Sequence, residues 1–322
     1  DEVISLSGIK IQLPILIPKS ELSGITEIAD HLFFLSPSSQ IIAKRTAEMI
    51  IKELNIERIA ILSPGNGQVK SLTDHFIKEC HQLGIDPVSI EWYIEKPENI
   101  SRQLKNIRAI AWSLVPDDDA EDVTLNLEID SLDALFDVDV TDFFELPSED
   151  KTEEMDKKDS AKVILETIEA FYVPIRPDEL TYVGTQIPLY NLNTLFFVNE
   201  NWLEMSLLNQ EVIGPHFQGM KIVSDVNSAI SNGNQDTFTN YRTLAIDHVS
   251  FIHSIIEQGI SKRKHFLESL KNHNQFDGIH TSIKFMGENK NENGSAQVIE
   301  YSNNKIKKTG VYDGEEFIQS SE

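Results

Sequence analysis

Short apolar runs rich in β-branched residues recur along the chain, at residues 11–17, 59–62, 88–94, 171–175, 194–198 and 220–223. Largely continuous apolar runs of this kind fit strands covered on both faces, as in a parallel sheet. Between them the apolar period changes to that of a helix. Ala43, Ala47, Ile50 and Leu54 share one stripe, and Leu72, Phe76, Cys80 and Leu83 share another that Gly84 terminates. Residues 100–111 predict a third helix. Ala245, Val249, Ile252 and Ile256 predict a fourth, stopped by Gly259. Strand and helix alternate, so the expected class is α/β, with parallel sheets flanked by helices and right-handed crossovers.

The spacing of the runs locates an insertion. Ile59 to Val88 and Phe171 to Thr194 are normal intervals for one strand–helix unit, but Val88 to Phe171 is far too long for a single crossover helix. The excess is residues 112–165. Its end, residues 162–171, reads as a short helix feeding the next strand. Charge is concentrated in the same place. The chain carries 52 acidic and 28 basic residues, a net charge of −24. Residues 117–159 alone hold 18 Asp plus Glu and three Lys. Apolar residues such as Leu125, Leu127, Leu135, Phe136 and Phe143 are interspersed with the acids. The insertion therefore reads either as a solvated excursion or as a partner-docking element.

An acidic chain with no basic stripe is a poor partner for nucleic acid or anionic lipid. No apolar run reaches the 18 residues of a membrane span. The single cysteine, Cys80, lies on the apolar stripe of its helix and reads as a buried thiol. No nucleophile elbow, metal-ligand spacing or phosphate-loop spacing is present. The expectation is a protein that is not an enzyme and needs no cofactor. Ser63-Pro64-Gly65-Asn66-Gly67 follows a strand and precedes a helix, and reads as a strand–helix turn at a ligand-binding sheet edge. Histidines such as His248 and His253 read as satisfied or solvent-exposed. Asn289, Asn291, Asn293, Gly294 and Glu300 match calcium-loop offsets weakly, and a polar hairpin tip is the better reading.

The order of elements resembles the type I periplasmic binding fold, and within it the leucine/isoleucine/valine-binding receptors of ABC transporters. The resemblance rests on Phe33-Phe34-Leu35-Ser36-Pro37-Ser38, Arg58-Ile59-Ala60-Ile61-Leu62, Glu79-Cys80-His81-Gln82-Leu83-Gly84 and Asn106-Ile107-Arg108. Phe171-Tyr172-Val173-Pro174, Asn199-Glu200-Asn201-Trp202, Phe217-Gln218-Gly219-Met220 and Phe276-Asp277-Gly278-Ile279 continue it in order. It implies two lobes joined by three crossover strands. Residues 36–225 and 282–316 would form the second lobe, and residues 1–35 and 226–281 a partial first lobe. Residues 317–322 would be a tail. The family's opening stretch has no counterpart here, so the resemblance implies an incomplete first lobe with an apolar edge.

By the same resemblance the ligand site draws on Ser20, Glu21, Ser63, Gln68, Asn199, Glu200 and Gln218. Several of these depart from the family pattern. Lys19, Ser20 and Glu21 stand where the family has small and hydroxyl residues. Gln68 replaces an aromatic residue, and Gln218 replaces an acid that pairs with an amino acid's ammonium. That loss removes a charge-assisted hydrogen bond, so a branched-chain amino acid is not the expected ligand. The function implied is an extracytoplasmic receptor, periplasmic or extracellular, that captures a small molecule between its lobes for a membrane transporter or sensor. The alternative is an envelope scaffold of the same fold that uses the acidic insertion for protein partners.

Overall fold

The computed structural model describes residues 14–19, 29–94, 96–116, 162–225, 237–258, 260, 262–273, 275–279 and 281–320, without side chains for 237–241. Most of the acidic insertion, with its mixed apolar residues, lies outside them, as do Ser20 and Glu21.

An eight-stranded sheet forms the larger lobe. Its parallel part comprises β3 (Ile59–Pro64), β4 (Ser89–Tyr93), β5 (Ala170–Val173), β6 (Leu195–Val198) and β7 (Lys221–Ser224), in the spatial order β7-β6-β5-β3-β4. An antiparallel hairpin set, β12 (Ala296–Ser302), β13 (Lys305–Asp313) and β14 (Glu316–Gln319), continues the sheet beyond β7. Residues 316–319 therefore form an edge strand rather than the tail expected from residue 317. They pair with β13 from Gly310↔Gln319 to Asp313↔Glu316.

The central parallel strands β3, β5 and β6 are largely apolar on both faces because helices cover both. Ala60, Leu62, Phe171, Val173, Phe196 and Val198 point to one core, which α3 (Ser101–Ser113) covers with Leu104, Ile107 and Ala111 and α4 (Leu180–Gln186) with Leu180 and Val183. Ile59, Ile61, Ala170, Tyr172 and Phe197 point to the other, which α1 (Ser39–Glu48) and α2 (Gly67–Gln82) cover with Ala43, Ala47, Phe76 and Cys80. This is the period-two alternation of a strand buried on both sides. Ser38 caps α1, its hydroxyl accepting from the Ile41 N–H at 3.3 Å. Gly84, at φ +85°, ends α2 in a Schellman motif, with Ile85 N–H donating to Cys80 C=O and Gly84 N–H to His81 C=O.

The smaller lobe holds the sheet β1-β2-β11-β10, made of β1 (Ile15–Ile17), β2 (Leu32–Phe34), β10 (Phe285–Met286) and β11 (Glu292–Asn293), and a two-stranded ribbon of β8 (Phe276–Asp277) and β9 (Ser282–Ile283). Helices α5 (Thr237–Ile256) and α6 (Arg263–Asn272) pack on it through Phe251, Ile255 and Leu270 against Phe33, Leu35 and Phe285. Residues 285–293 thus pair with the first-lobe sheet, and the return to the larger lobe comes near residue 294 rather than 282.

Three further expectations change. Residues 163–169 are not helical: Leu165 bridges Leu192 in parallel pairing, and Arg108 fastens the segment by donating to Val163 C=O at 2.7 Å. The buried face of α5 is Leu244, Asp247, His248, Phe251 and Ile255, while Val249 is 65% and Ile256 52% exposed. The hairpin tip at residues 287–290 is as expected, but Asn291 and Asn293 behind it are buried. No group of metal-ligating side chains occurs among the described residues, and none of their helices is long and apolar enough to cross a membrane.

Candidate functional site

Parallel strands all end on one side of the sheet, so the groups that follow β3 to β7 form a row. Chain order places β4 and β5 on opposite sides of β3. The helices after β3 and β4 cover opposite faces of the sheet. Such a topological switch leaves a crevice at the carboxyl ends of the strands. The row reads Asp225 after β7, Glu200 after β6, Arg176 and Glu179 after β5, Asn66 after β3, and Tyr93 at the end of β4.

At one end of the row the two lobes meet through charge. Lys19 lies two residues beyond β1 in the first lobe. Its ammonium is 3.2 Å from Glu200 Oε1 and 3.3 Å from Asp225 Oδ1, both in the second lobe. Ser224 Oγ donates to Glu200 Oε2 at 2.9 Å. Asp225 is only 4% exposed, which makes its ion pair more than a surface contact. Burial opposes the charge on Lys19, but Asp225 and then Glu200 outweigh it and push the pKa above the usual lysine value. Behind this cluster His248 of α5 is buried. Burial holds its pKa below the usual value, against the pull of Asp225 and Asp247.

Further along the row Arg176 is held in place by several partners. It donates from Nε to Glu179 Oε1 at 2.7 Å and from Nη1 to Asn66 Oδ1 at 2.9 Å. Its guanidinium carbon is 5.6 Å from the Tyr93 ring centroid. The Tyr93 hydroxyl donates to Glu179 Oε2 at 2.8 Å, and burial followed by the Glu179 charge raises the phenol's pKa. The guanidinium remains partly exposed, so this arrangement presents an oriented cation at the switch point.

The residues singled out from sequence divide among several places. Glu200 is in the interlobe cluster. Gln68 is exposed on the first turn of α2, beside Asn66. Ser63 is fully buried and its hydroxyl meets Thr73 Oγ1 at 2.7 Å, joining β3 to α2 rather than facing the crevice. Asn199 lies at the end of β6 but clasps the backbone of Ile175, accepting from its N–H at 3.1 Å and donating to its C=O at 2.8 Å. Gln218 is a correction. It precedes β7, so strand direction puts it at the opposite end of the sheet, where it donates to Gly214 C=O and accepts from Asn303 N–H. Arg176, Asp225 and Tyr93 were missed, and Asn66 was read only as part of the turn after β3. The available signal was position: polar groups in the first residues after a parallel strand face the ligand edge.

Comparison with known proteins follows the same lines. Neither a scan against protein-family models nor a search of curated proteins returns a match. Solved structures do match. The fold is that of the type I periplasmic binding proteins. A leucine-binding protein from Thermotoga maritima aligns with a TM-score of 0.57 at 14% identity, over 96% of this chain and 75% of its own. A solute-binding protein of an ABC transporter from R. palustris, in complex with benzoate, aligns with a TM-score of 0.58 at 12% identity, over 99% and 74%. A branched-chain amino acid transporter substrate-binding protein from Streptococcus pneumoniae, in complex with isoleucine, aligns with a TM-score of 0.54 at 12% identity, over 98% and 75%. These neighbours are solute-binding proteins rather than enzymes.

Proposed function

We propose that this protein is a solute receptor that captures a small molecule between its lobes, at the carboxyl ends of β3 to β7. The observation that carries the reading is the row itself: charged and polar groups from five strand ends converge at a topological switch, and the other lobe reaches them through Lys19. Glu200, Arg176, Asn66, Gln68 and Tyr93 are the proposed contacts. Structures of this fold holding isoleucine and benzoate support a small organic solute as ligand class. Closure about the lobe crossings is the proposed motion. By the same likeness the receptor works outside the cytoplasm and delivers its ligand to a membrane transporter. The scaffold alternative would use the acidic insertion, residues 112–165, most of which lies outside the described residues.

A thermal-shift panel of carboxylates, amino acids and sugars tests this. A true ligand at a hundred times its Kd stabilises the folded state by about 2.7 kcal/mol. The expected result is a clear shift with at least one solute, reduced in Arg176→Ala and Glu200→Gln. No shift across the panel, or a shift indifferent to both substitutions, would count against the reading.

A further inference from the structure

We propose that Lys19 is a built-in counter-ion that fills the cation-recognising end of the cleft, so that the receptor selects solutes without a positively charged group. This inference rests on the solute-binding reading and names the ligand class for it.

Glu200 and Asp225 follow adjacent parallel strands, and Ser224 holds them in register by bonding to Glu200 at 2.9 Å and lying 3.4 Å from Asp225 Oδ1. Two carboxylates fixed at neighbouring strand ends form a cation site. Asp225 is almost fully buried, and its Oδ2 has no hydrogen-bond partner among the described residues. A buried carboxylate without a counter-charge is costly, so the site requires a cation. The fold supplies one from the opposite lobe, with the Lys19 ammonium at ion-pair distance from both acids. An incoming ligand ammonium would have to expel that lysine or lie against a like charge. A neutral solute meets no such opposition, whereas a carboxylate faces the net negative charge that two acids and one lysine leave. Lys19 thus converts a cation site into a filter against cations, an instance of selectivity built on repulsion.

Chemical rescue tests the counter-ion directly on the full chain. Lys19→Ala is expected to lower the Tm by several degrees. Propylammonium chloride should restore most of the loss, whereas propanol and sodium chloride at equal concentration should not. By calorimetry Lys19→Ala should also bind leucine, used as a zwitterionic probe, about tenfold more tightly than the wild type does, the scale of one charge-assisted hydrogen bond. Rescue no better than sodium chloride, or wild-type binding of leucine as tight as that of Lys19→Ala, overturns the proposal. A chain that shows rescue but responds to no solute overturns the solute-binding reading and the selectivity with it, while supporting the counter-ion assignment. If Lys19→Ala does not fold, Lys19→Arg should keep the wild-type Tm and Lys19→Gln should not; equal Tm values for those two variants also overturn it.

Discussion

Arg45 has no exposed surface, yet it carries a charge into the core of the larger lobe. Its guanidinium pairs with Glu48 one turn on and sits 5.3 Å from the Tyr312 ring centroid. Removing one partner of a buried pair costs more than the pair contributes, because the other charge is stranded. Arg45→Met is therefore expected to lose about 3 kcal/mol in urea unfolding. Burial pushes the Glu48 carboxyl up, but Arg45 and Lys52 outweigh it and hold its pKa below the ordinary 4.5. A carboxylate with a depressed folded pKa stabilises above its unfolded value, and that stability is lost as pH falls through the folded value. Tm should accordingly fall as pH drops below 4.5, and less steeply in Glu48→Gln. Cys80 gives a second residue-scale outcome. Burial pushes its thiol up to about 12, so a thiol reagent at neutral pH should label it only as fast as the chain opens. Labelling of the folded protein at the rate of a free thiol would refute this. The burial of Cys80 was legible in the sequence because its stripe is apolar on one side only. The partnership of Lys19 with Glu200 and Asp225 was not, because a pairing across nearly two hundred residues leaves no local pattern.

The parallel strands of the larger lobe were the most legible elements, since their apolar runs have no competing helical period. Helix α5 was the least, and for a physical reason. It carries apolar residues on two sides, so a stripe through Ala245, Val249, Ile252 and Ile256 is as periodic as the buried one. What selects the face is polar: Asp247 accepts from the N–H groups of Ile279 at 2.9 Å and Thr281 at 2.7 Å, which draws its side of the helix onto the following loop. The crossing between the lobes depends on a similar polar anchor. Asn293 is fully buried at the end of β11. It donates to Leu35 C=O at 2.7 Å and Ser282 C=O at 3.0 Å, and accepts from the N–H groups of Lys284 and Ser295. It ties one lobe crossing, at residue 35, to another, at residues 293–295. Asn293→Ala leaves two buried and two half-buried backbone groups without that partner. Each unsatisfied group costs roughly 1–3 kcal/mol, so the expected loss is at least about 3 kcal/mol in urea unfolding. A loss below about 1 kcal/mol would show that the crossings do not rely on this side chain.

At the scale of the molecule, charge and fold are separable. The acidic run lies between α3 and residue 162 in the chain, and the described residues on either side of it are joined through the same short stretch of that helix. Arg108 donates to Val163 C=O as well as to the backbone of Tyr190 and Asn191, and Thr167 donates to Ala111 C=O. The chain therefore enters and leaves the insertion at anchored points on one face, away from the strand ends that form the row. A loop closed between fixed points changes stability only weakly with its length. Replacing residues 117–159 with a short Gly/Ser linker should cut the net charge from −24 to −9, and shift Tm by no more than a few degrees in a calorimetric scan. Solute binding should be unchanged, because Lys19, Glu200, Asp225 and Arg176 lie on elements the deletion leaves intact. A collapse of Tm would mean that the excised residues complete the core that Ile107 and Ala111 share with Val163 and Leu165. Loss of binding at unchanged Tm would instead place the acidic run at the cleft, and the ligand would then have to be sought among solutes that tolerate its negative field.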